Sequence, residues 1–382
     1  MPGAAHSRSG YFPHINWLRA FAALSVLVYH VIELGKWESF TNELPFKWFR
    51  IGWMSVDLFF VISGFVIAWG LLQMQAKGIS GATLWRSFMR RRFARVAPLF
   101  YLTCLAYVFA IEPNLLHWSE WKHWLTHALF IHSWDKDTFG SMNGINWSIA
   151  IEMQFYVLMV ATLYWWSRWH PLKIIAVGCA VAFTCRAAIV AYAEHRGWEG
   201  PWPLFPYSVQ MPMMLDEFAC GIALAVLIWR YPPSQWPGKC WVQGLGLLVA
   251  LGVMGTIAFE IYFAYYTYWG YPAMVIFWRS LIALFFALVI AVAVWLPAPQ
   301  KPGLIYRTGY YLGEISYGIY LWHLIMSELL KPHFIGNAPG LLLAVLPLTL
   351  AMASFSWHWV EKPFIAWAKQ SRDTAHPAAA AA

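Results

Sequence analysis

Arg19 and His30 sit eleven residues apart in one apolar stretch, INWLRAFAALSVLVYHV, from Ile15 to Val31. Three helical turns at about 3.6 residues per turn bring both to the same side. A cation and a titratable imidazole in so apolar a run face a protein interior or a water-filled cavity, and both are functional candidates by default. Two carboxylates have the same standing, Asp57 in IGWMSVDLFFVISGF and Glu152 in INWSIAIEMQFY. An imidazole beside a carboxylate is the minimal general-base arrangement. The carboxylate fixes the tautomer and stabilises the imidazolium.

The elements that must position these groups are membrane helices. The 382 residues are 60% hydrophobic and only 12% charged, and a soluble domain of that length could not hide so much apolar surface. The fold class is therefore all-α, a polytopic membrane protein of about ten transmembrane helices. Windows of about 20 apolar residues place them near 14–34, 51–75, 96–112, 145–166, 172–193, 209–230, 241–266, 273–296, 313–330 and 340–362. Domain organisation follows, with a cytoplasmic N-terminal segment over 1–13, a membrane domain over 14–365, and a disordered cytoplasmic tail over 366–382. The N-terminus lacks a short apolar core with a small-residue cleavage site, so the first helix reads as an uncleaved anchor. In VEKPF, Pro363 is expected to stop the last helix.

A net charge of +8 is compatible with a nucleic-acid partner, but the cations lie in helix flanks, as in the run RSFMRRRFAR from Arg86 to Arg95. With both termini in the cytoplasm, Lys and Arg fall roughly twice as often on inside segments as on outside ones, in line with the positive-inside rule. The expected location is the inner membrane, multi-pass. Five cysteines show no CxxC pair, so neither a disulfide framework nor a zinc site is indicated. His123 and His127, one turn apart in the Trp- and His-rich segment between 112 and 144, read as interfacial packing rather than a metal site.

Topology sorts the polar residues by depth. His30, Asp57 and Glu152 fall in outer halves of three helices, which matches a base with one of two carboxylates as orienter. Arg92 and Arg95, three residues apart at the start of the third helix with Arg91 beside them, face the inner side. They are either topogenic charge or a clamp for an anion, since guanidinium forks match phosphate oxygens. Arg19, in the inner half of its helix, joins that positive group. Ser316, Tyr320 and His323 form a polar stripe in ISYGIYLWH that either lines a cavity or ties helices together.

The ordered motifs NWLRAFAALSVLVYH, SVDLFFVISGF, RRFARVAPLFY, NWSIAIEMQFY, LGEISYGIYLWH and VEKPF resemble the acyltransferase-3 family of integral membrane O-acyltransferases, from about residue 14 to 365. Each motif alone is weak, but six in order are specific. The family's arginine-to-histidine pattern matches Arg19 and His30, and its paired arginines match Arg92 and Arg95. Its helix-two motif matches Phe59, Phe60, Ser63 and Gly64, and its helix-four motif matches Trp147, Ser148 and Glu152. Asn16 and Met153 stand where many members are acidic. The soluble esterase-like domain that some members carry is not in this sequence, so the membrane domain is expected to act alone or to pass the acyl group to a partner.

The resemblance implies transfer of an acyl group, commonly acetyl, from cytoplasmic acyl-CoA to a hydroxyl of a sugar-containing acceptor, a surface or exported glycan, lipid-linked or free. No metal and no nucleic acid are expected. The donor's nucleotide end would sit by Arg92, Arg95, Arg19 and Arg91, with His30 as base, oriented by Glu152 or Asp57. Ser63, Trp147, Ser148, Tyr320 and His323 remain weaker candidates for the acceptor or the oxyanion. Direct transfer and an acyl-His30 intermediate stay open. The alternatives are acylation of a glycosylated small molecule such as a macrolide, and a secondary transporter or flippase of a lipid-linked intermediate. The lack of repeats and of paired broken helices speaks against transport.

Overall fold

The computed structural model describes residues 12–43, 45–198, 200–236, 239–265 and 268–370. Residues 1–11 of the expected N-terminal segment and 371–382 of the expected tail lie outside the described residues. Among the described residues there are helices and turns and no strand. In chain order the helices are α1 (Pro13–Leu34), α2 (Ser55–Ala76), α3 (Gly81–Ala110), α4 (Trp121–Ala128), α5 (Trp147–Ala161) and the single turn α6 (Leu163–Trp166). They continue with α7 (Pro171–His195), α8 (Pro201–Ser208), α9 (Leu215–Arg230), α10 (Cys240–Ala264) and α11 (Arg279–Trp295). The chain closes with α12 (Leu304–Glu314), α13 (Ser316–Leu330), α14 (Ala338–Ser356) and α15 (Lys362–Gln370).

Eight helical runs are long and apolar enough to cross a membrane, so the protein is an all-α, multi-pass membrane protein. The ten expected spans thus resolve into eight long runs and two shorter helices. Helices α5 and α13 have 15 residues each. At about 1.5 Å per residue each reaches about 22 Å, short of the roughly 30 Å of hydrocarbon. A hydropathy window could not see that Ile315 leaves helical geometry and splits α12 from α13. Both short helices pack inside the bundle: Ser316 to Ile325 of α13 are all buried, as is most of α5 from Trp147 to Tyr156.

Two other boundaries differ from expectation, at the start of α3 and at Pro363. The basic run is helical: α3 begins at Gly81 and carries Arg86–Arg95 ahead of and into its apolar stretch, as a helical flank rather than a loop. Pro363 does not stop the last helix. It lies inside one continuous helical run, Ala338–Gln370, in the first turn of α15. The preceding turn, Trp357–Glu361, is a π-helix, a form common at functional sites. The segment after α3 does hold an amphipathic helix. On α4, Trp121 and Leu125 are exposed while His127 is buried. His127 stacks flat on His132 with ring centroids 4.0 Å apart, and His123 bonds Ser141 at 2.8 Å. Burial pushes His127 and His132 down to about 3 and about 4, so both rings are neutral packing groups.

The main core lies between α2, α3, α5, α9 and α11, and a smaller one joins α1, α13 and α14. Helix α2 lies along α9 so closely that glycine is required on both. A Cβ on Gly64 would meet the Phe218 carbonyl oxygen at 2.3 Å, and one on Gly221 the Val61 carbonyl oxygen at 2.1 Å. These are backbone atoms and cannot swing aside. Gly221→Ala should therefore destabilise by about 1–3 kcal/mol, the usual cost of overpacking. Thermal unfolding in detergent measures it, and an unchanged midpoint would deny the close crossing.

Candidate active site

Two cavities meet in the bundle. The larger, about 760 Å³, is lined by His30, Trp53, Asp57, Trp147, Tyr268 and Arg279 among others. The smaller, about 110 Å³, is lined by Arg19, Arg92, Arg95, Glu152, Ser63 and Tyr156 among others. Val56 and Tyr320 border both, so they form the partition between them.

His30 is half-buried on α1. Its Nδ1 lies 3.0 Å from the Val26 carbonyl oxygen and 3.1 Å from Nε2 of His323, a fully buried residue of α13. This differs from the expected carboxylate partner. Among the described residues neither Asp57 nor Glu152 hydrogen-bonds to His30. Depth along the membrane normal placed the three at one level but said nothing about the direction each faces around its helix.

Asp57 shares the cavity with His30, yet its Oδ1 pairs with Arg279 of α11. That pair belongs to a buried chain of charges. Arg279 lies 3.7 Å from Glu217, Glu217 lies 4.0 Å from Arg186, and Arg186 grips Asp216 with two bonds of 2.8 and 2.9 Å. Ser280 donates a further bond to Asp216. Arg186, Asp216, Glu217 and Arg279 were not singled out as site residues from sequence. Arginines in mid-span and two adjacent acids in LDEF were the available signal, because buried ions in lipid must pair.

Glu152 sits on the wall of the smaller cavity and accepts a 2.7 Å hydrogen bond from Ser63. This commits the Ser63 hydroxyl to a carboxylate rather than to an oxyanion. Arg92 lies over the rings of Phe88 and Tyr156, at 5.3 and 5.6 Å. Arg95 pairs with Glu361 in the π-turn at 3.3 Å and lies over Trp357 at 5.0 Å. So Arg92 and Arg95 are not at a helix start on the protein surface. They lie within α3 and meet Arg19 and Glu152 on the walls of one partly open cavity, as three arginines with a carboxylate. Arg91 is not part of it, since it bonds Met74 Sδ at 2.7 Å and the Ser87 carbonyl at 3.1 Å.

The polar stripe on α13 divides its work. Ser316 lines the arginine cavity, and His323 holds His30. The Tyr320 hydroxyl shares a 2.8 Å hydrogen bond with Ser148 of α5. Trp147 faces the larger cavity and stacks on Phe139 at 5.9 Å.

Chemically, the larger space has the volume and lining of a ligand pocket, apolar and aromatic with a few polar groups. It contains an imidazole with one nitrogen held by neighbours. The smaller space concentrates positive charge beside it. Such a pair of rooms suits a reaction between a neutral, ring-bearing partner and an anionic one.

Comparison with known proteins identifies the family. The acyltransferase-3 family model, described as an acyltransferase domain, matches residues 12–358. The chain is 29% identical over 377 residues to a putative peptidoglycan O-acetyltransferase of Bacillus subtilis (strain 168), covering 92% of this chain and 55% of that protein. It is 25% identical over 372 residues to a peptidoglycan O-acetyltransferase of Listeria monocytogenes, covering 92% and 56%. An acyltransferase of Streptomyces mycarofaciens is 28% identical over 266 residues, covering 64% and 66%. The chain spans a little over half the length of the two peptidoglycan relatives. No solved structure matches significantly. With the family pattern running from the start of α1 to the π-turn that carries Glu361, this helical membrane protein belongs to the acyltransferase-3 family.

Proposed function

We propose that the protein transfers an acyl group, most simply acetyl, from acyl-CoA to a hydroxyl of a sugar-containing acceptor, a surface or exported glycan. The observation that carries this reading is the pair of adjoining cavities, one with the half-buried His30 imidazole and one with Arg19, Arg92 and Arg95. Relatives named as peptidoglycan O-acetyltransferases support a sugar hydroxyl as acceptor.

In this reading the acceptor occupies the larger cavity, where rings such as Trp53, Trp147 and Tyr268 can stack on a sugar face. The donor approaches through the arginine cavity. At about 110 Å³ that space is well below the roughly 300–1,000 Å³ of a whole-ligand pocket, so it takes only a narrow part of the donor. His30 removes the hydroxyl proton while the acceptor oxygen attacks the thioester carbonyl carbon. The C–S bond breaks, and the proton on His30 passes to the leaving sulfur. Products are the O-ester and free CoA thiol, with no proton gained or lost overall. The membrane is taken to be the inner membrane, with both termini in the cytoplasm, which puts the arginines on the side where acyl-CoA is found.

The arginines give the test. If Arg92 holds a phosphate or the thioester oxygen, Arg92→Ala removes a charge-assisted contact of about 1.5–3 kcal/mol. The KM for acyl-CoA should then rise about ten- to a hundredfold while the acceptor KM holds. Arg92→Lys should rescue only partly, because a point charge cannot reproduce the fork. Arg95→Ala should also raise this KM, but it strands the buried Glu361 carboxylate and will destabilise the protein as well. An acyl-CoA KM unchanged in correctly inserted Arg92→Ala would remove the donor from this cavity.

A further inference from the structure

The hydrogen-bond pattern around His323 determines which nitrogen of His30 is free to act. His323 Nδ1 lies 2.6 Å from the Tyr320 carbonyl oxygen and 3.2 Å from that of Ile319. Carbonyl oxygens only accept, so this nitrogen carries the hydrogen. In a neutral imidazole the other nitrogen is then a bare acceptor. That acceptor, His323 Nε2, faces His30 Nδ1 at 3.1 Å. The second neighbour of His30 Nδ1, the Val26 carbonyl oxygen at 3.0 Å, is an acceptor too. With acceptors on both sides, His30 Nδ1 must be the donor, its hydrogen shared between them.

We infer that His323 is a positioning residue that, with the Val26 carbonyl, holds His30 in the Nδ1–H tautomer and fixes its ring orientation, leaving the Nε2 lone pair as the base. This rests on the acyl-transfer reading above and deepens it. An imidazole here does what a carboxylate does in a Ser–His–Asp arrangement, fixing tautomer and ring orientation. It does so without adding a charge. The geometry has a chain of causes. The helical carbonyls of α13 orient His323 from below, and His323 orients His30 from the side. The break at Ile315 frees α13 from α12, so its direction can be set by this packing against α1. When His30 holds the proton during transfer, its Nδ1–H keeps both acceptors, and nothing in the pair has to move.

Two measurements test the inference. The first is independent of activity. Solid-state nitrogen spectra of protein labelled with ¹⁵N-histidine, in lipid vesicles, are compared with His30→Ala to assign the His30 signals. The expected result is protonated Nδ1 and bare Nε2 on His30. A wild-type His30 protonated on Nε2 overturns the inference. The second is kinetic, with acetyl-CoA as donor and a glycan acceptor. His323→Leu, similar in bulk but without an acceptor, should lower kcat about 10²-fold, the lower range of general-base contributions, with both KM values unchanged. His323→Gln, whose amide oxygen can accept near the position of Nε2, should recover most of that loss. A purely structural histidine predicts the reverse, with leucine tolerated at full kcat. A wild type that forms no ester would sink the acyl-transfer reading, while the nitrogen spectra would still decide the tautomer.

Discussion

His30→Ala should abolish acyl transfer while the protein still inserts and folds. The change removes the one group that, in this account, takes the acceptor's proton, and general-base contributions run to about 10²–10⁴-fold. The folding cost should be moderate. His30 is half-buried at a cavity wall, but the change leaves the fully buried His323 Nε2 without its partner, at about 1–3 kcal/mol. The arginine cavity is untouched, so acyl-CoA should still bind with wild-type affinity. Initial rates with labelled acetyl-CoA and equilibrium binding of acetyl-CoA, on the same preparation, separate the two properties. A variant that keeps most of its rate would remove His30 from the mechanism.

Asp57→Ala should act in the opposite sense, chiefly on stability. Asp57 is fully buried and pairs with Arg279, which is itself nearly fully buried. Removing one partner leaves a nearly buried guanidinium with Glu217 at 3.7 Å, the Tyr268 hydroxyl and the Trp53 ring to face it, and no paired carboxylate at hydrogen-bond distance among them. Breaking such a pair costs about 3–5 kcal/mol, far more than the pair contributes relative to two apolar residues. The double change Asp57→Leu with Arg279→Met should therefore recover part of the lost stability. Thermal unfolding in detergent measures both. If Asp57 instead oriented His30, the single variant would unfold normally and lose only turnover. That pattern would contradict the pairing described here.

The candidate groups were legible in the sequence to different degrees, for physical reasons. Arg19, His30, Asp57 and Glu152 stood out because ions and imidazoles are costly in apolar helices and are kept only where something uses or pairs them. Their grouping was less legible. Depth sorting orders residues along one axis, whereas cavity membership depends on rotation about each helix and on which helices touch. Glu152 therefore matched His30 in depth yet lines the arginine cavity. His323 was visible as part of a stripe, but its contact with His30 joins residues 293 positions apart and has no local signature. Gly64 was matched as a motif residue, and the structure adds its reason, the Phe218 backbone lying against it. The short helices α5 and α13 read as full spans because apolarity does not reveal a break such as the one at Ile315.

The central claim is that His30 acts as the base when an acyl group passes from acyl-CoA to a hydroxyl at the partition between the two cavities. Purified protein in lipid vesicles, given acetyl-labelled acetyl-CoA and a mixture of cell-wall and surface glycan fragments, tests it most directly. The expected result is label in an O-ester on the glycan, one CoA thiol released per ester, and neither in His30→Ala. Label or glycan crossing the bilayer with no ester formed would contradict it, as would ester formation undiminished in His30→Ala.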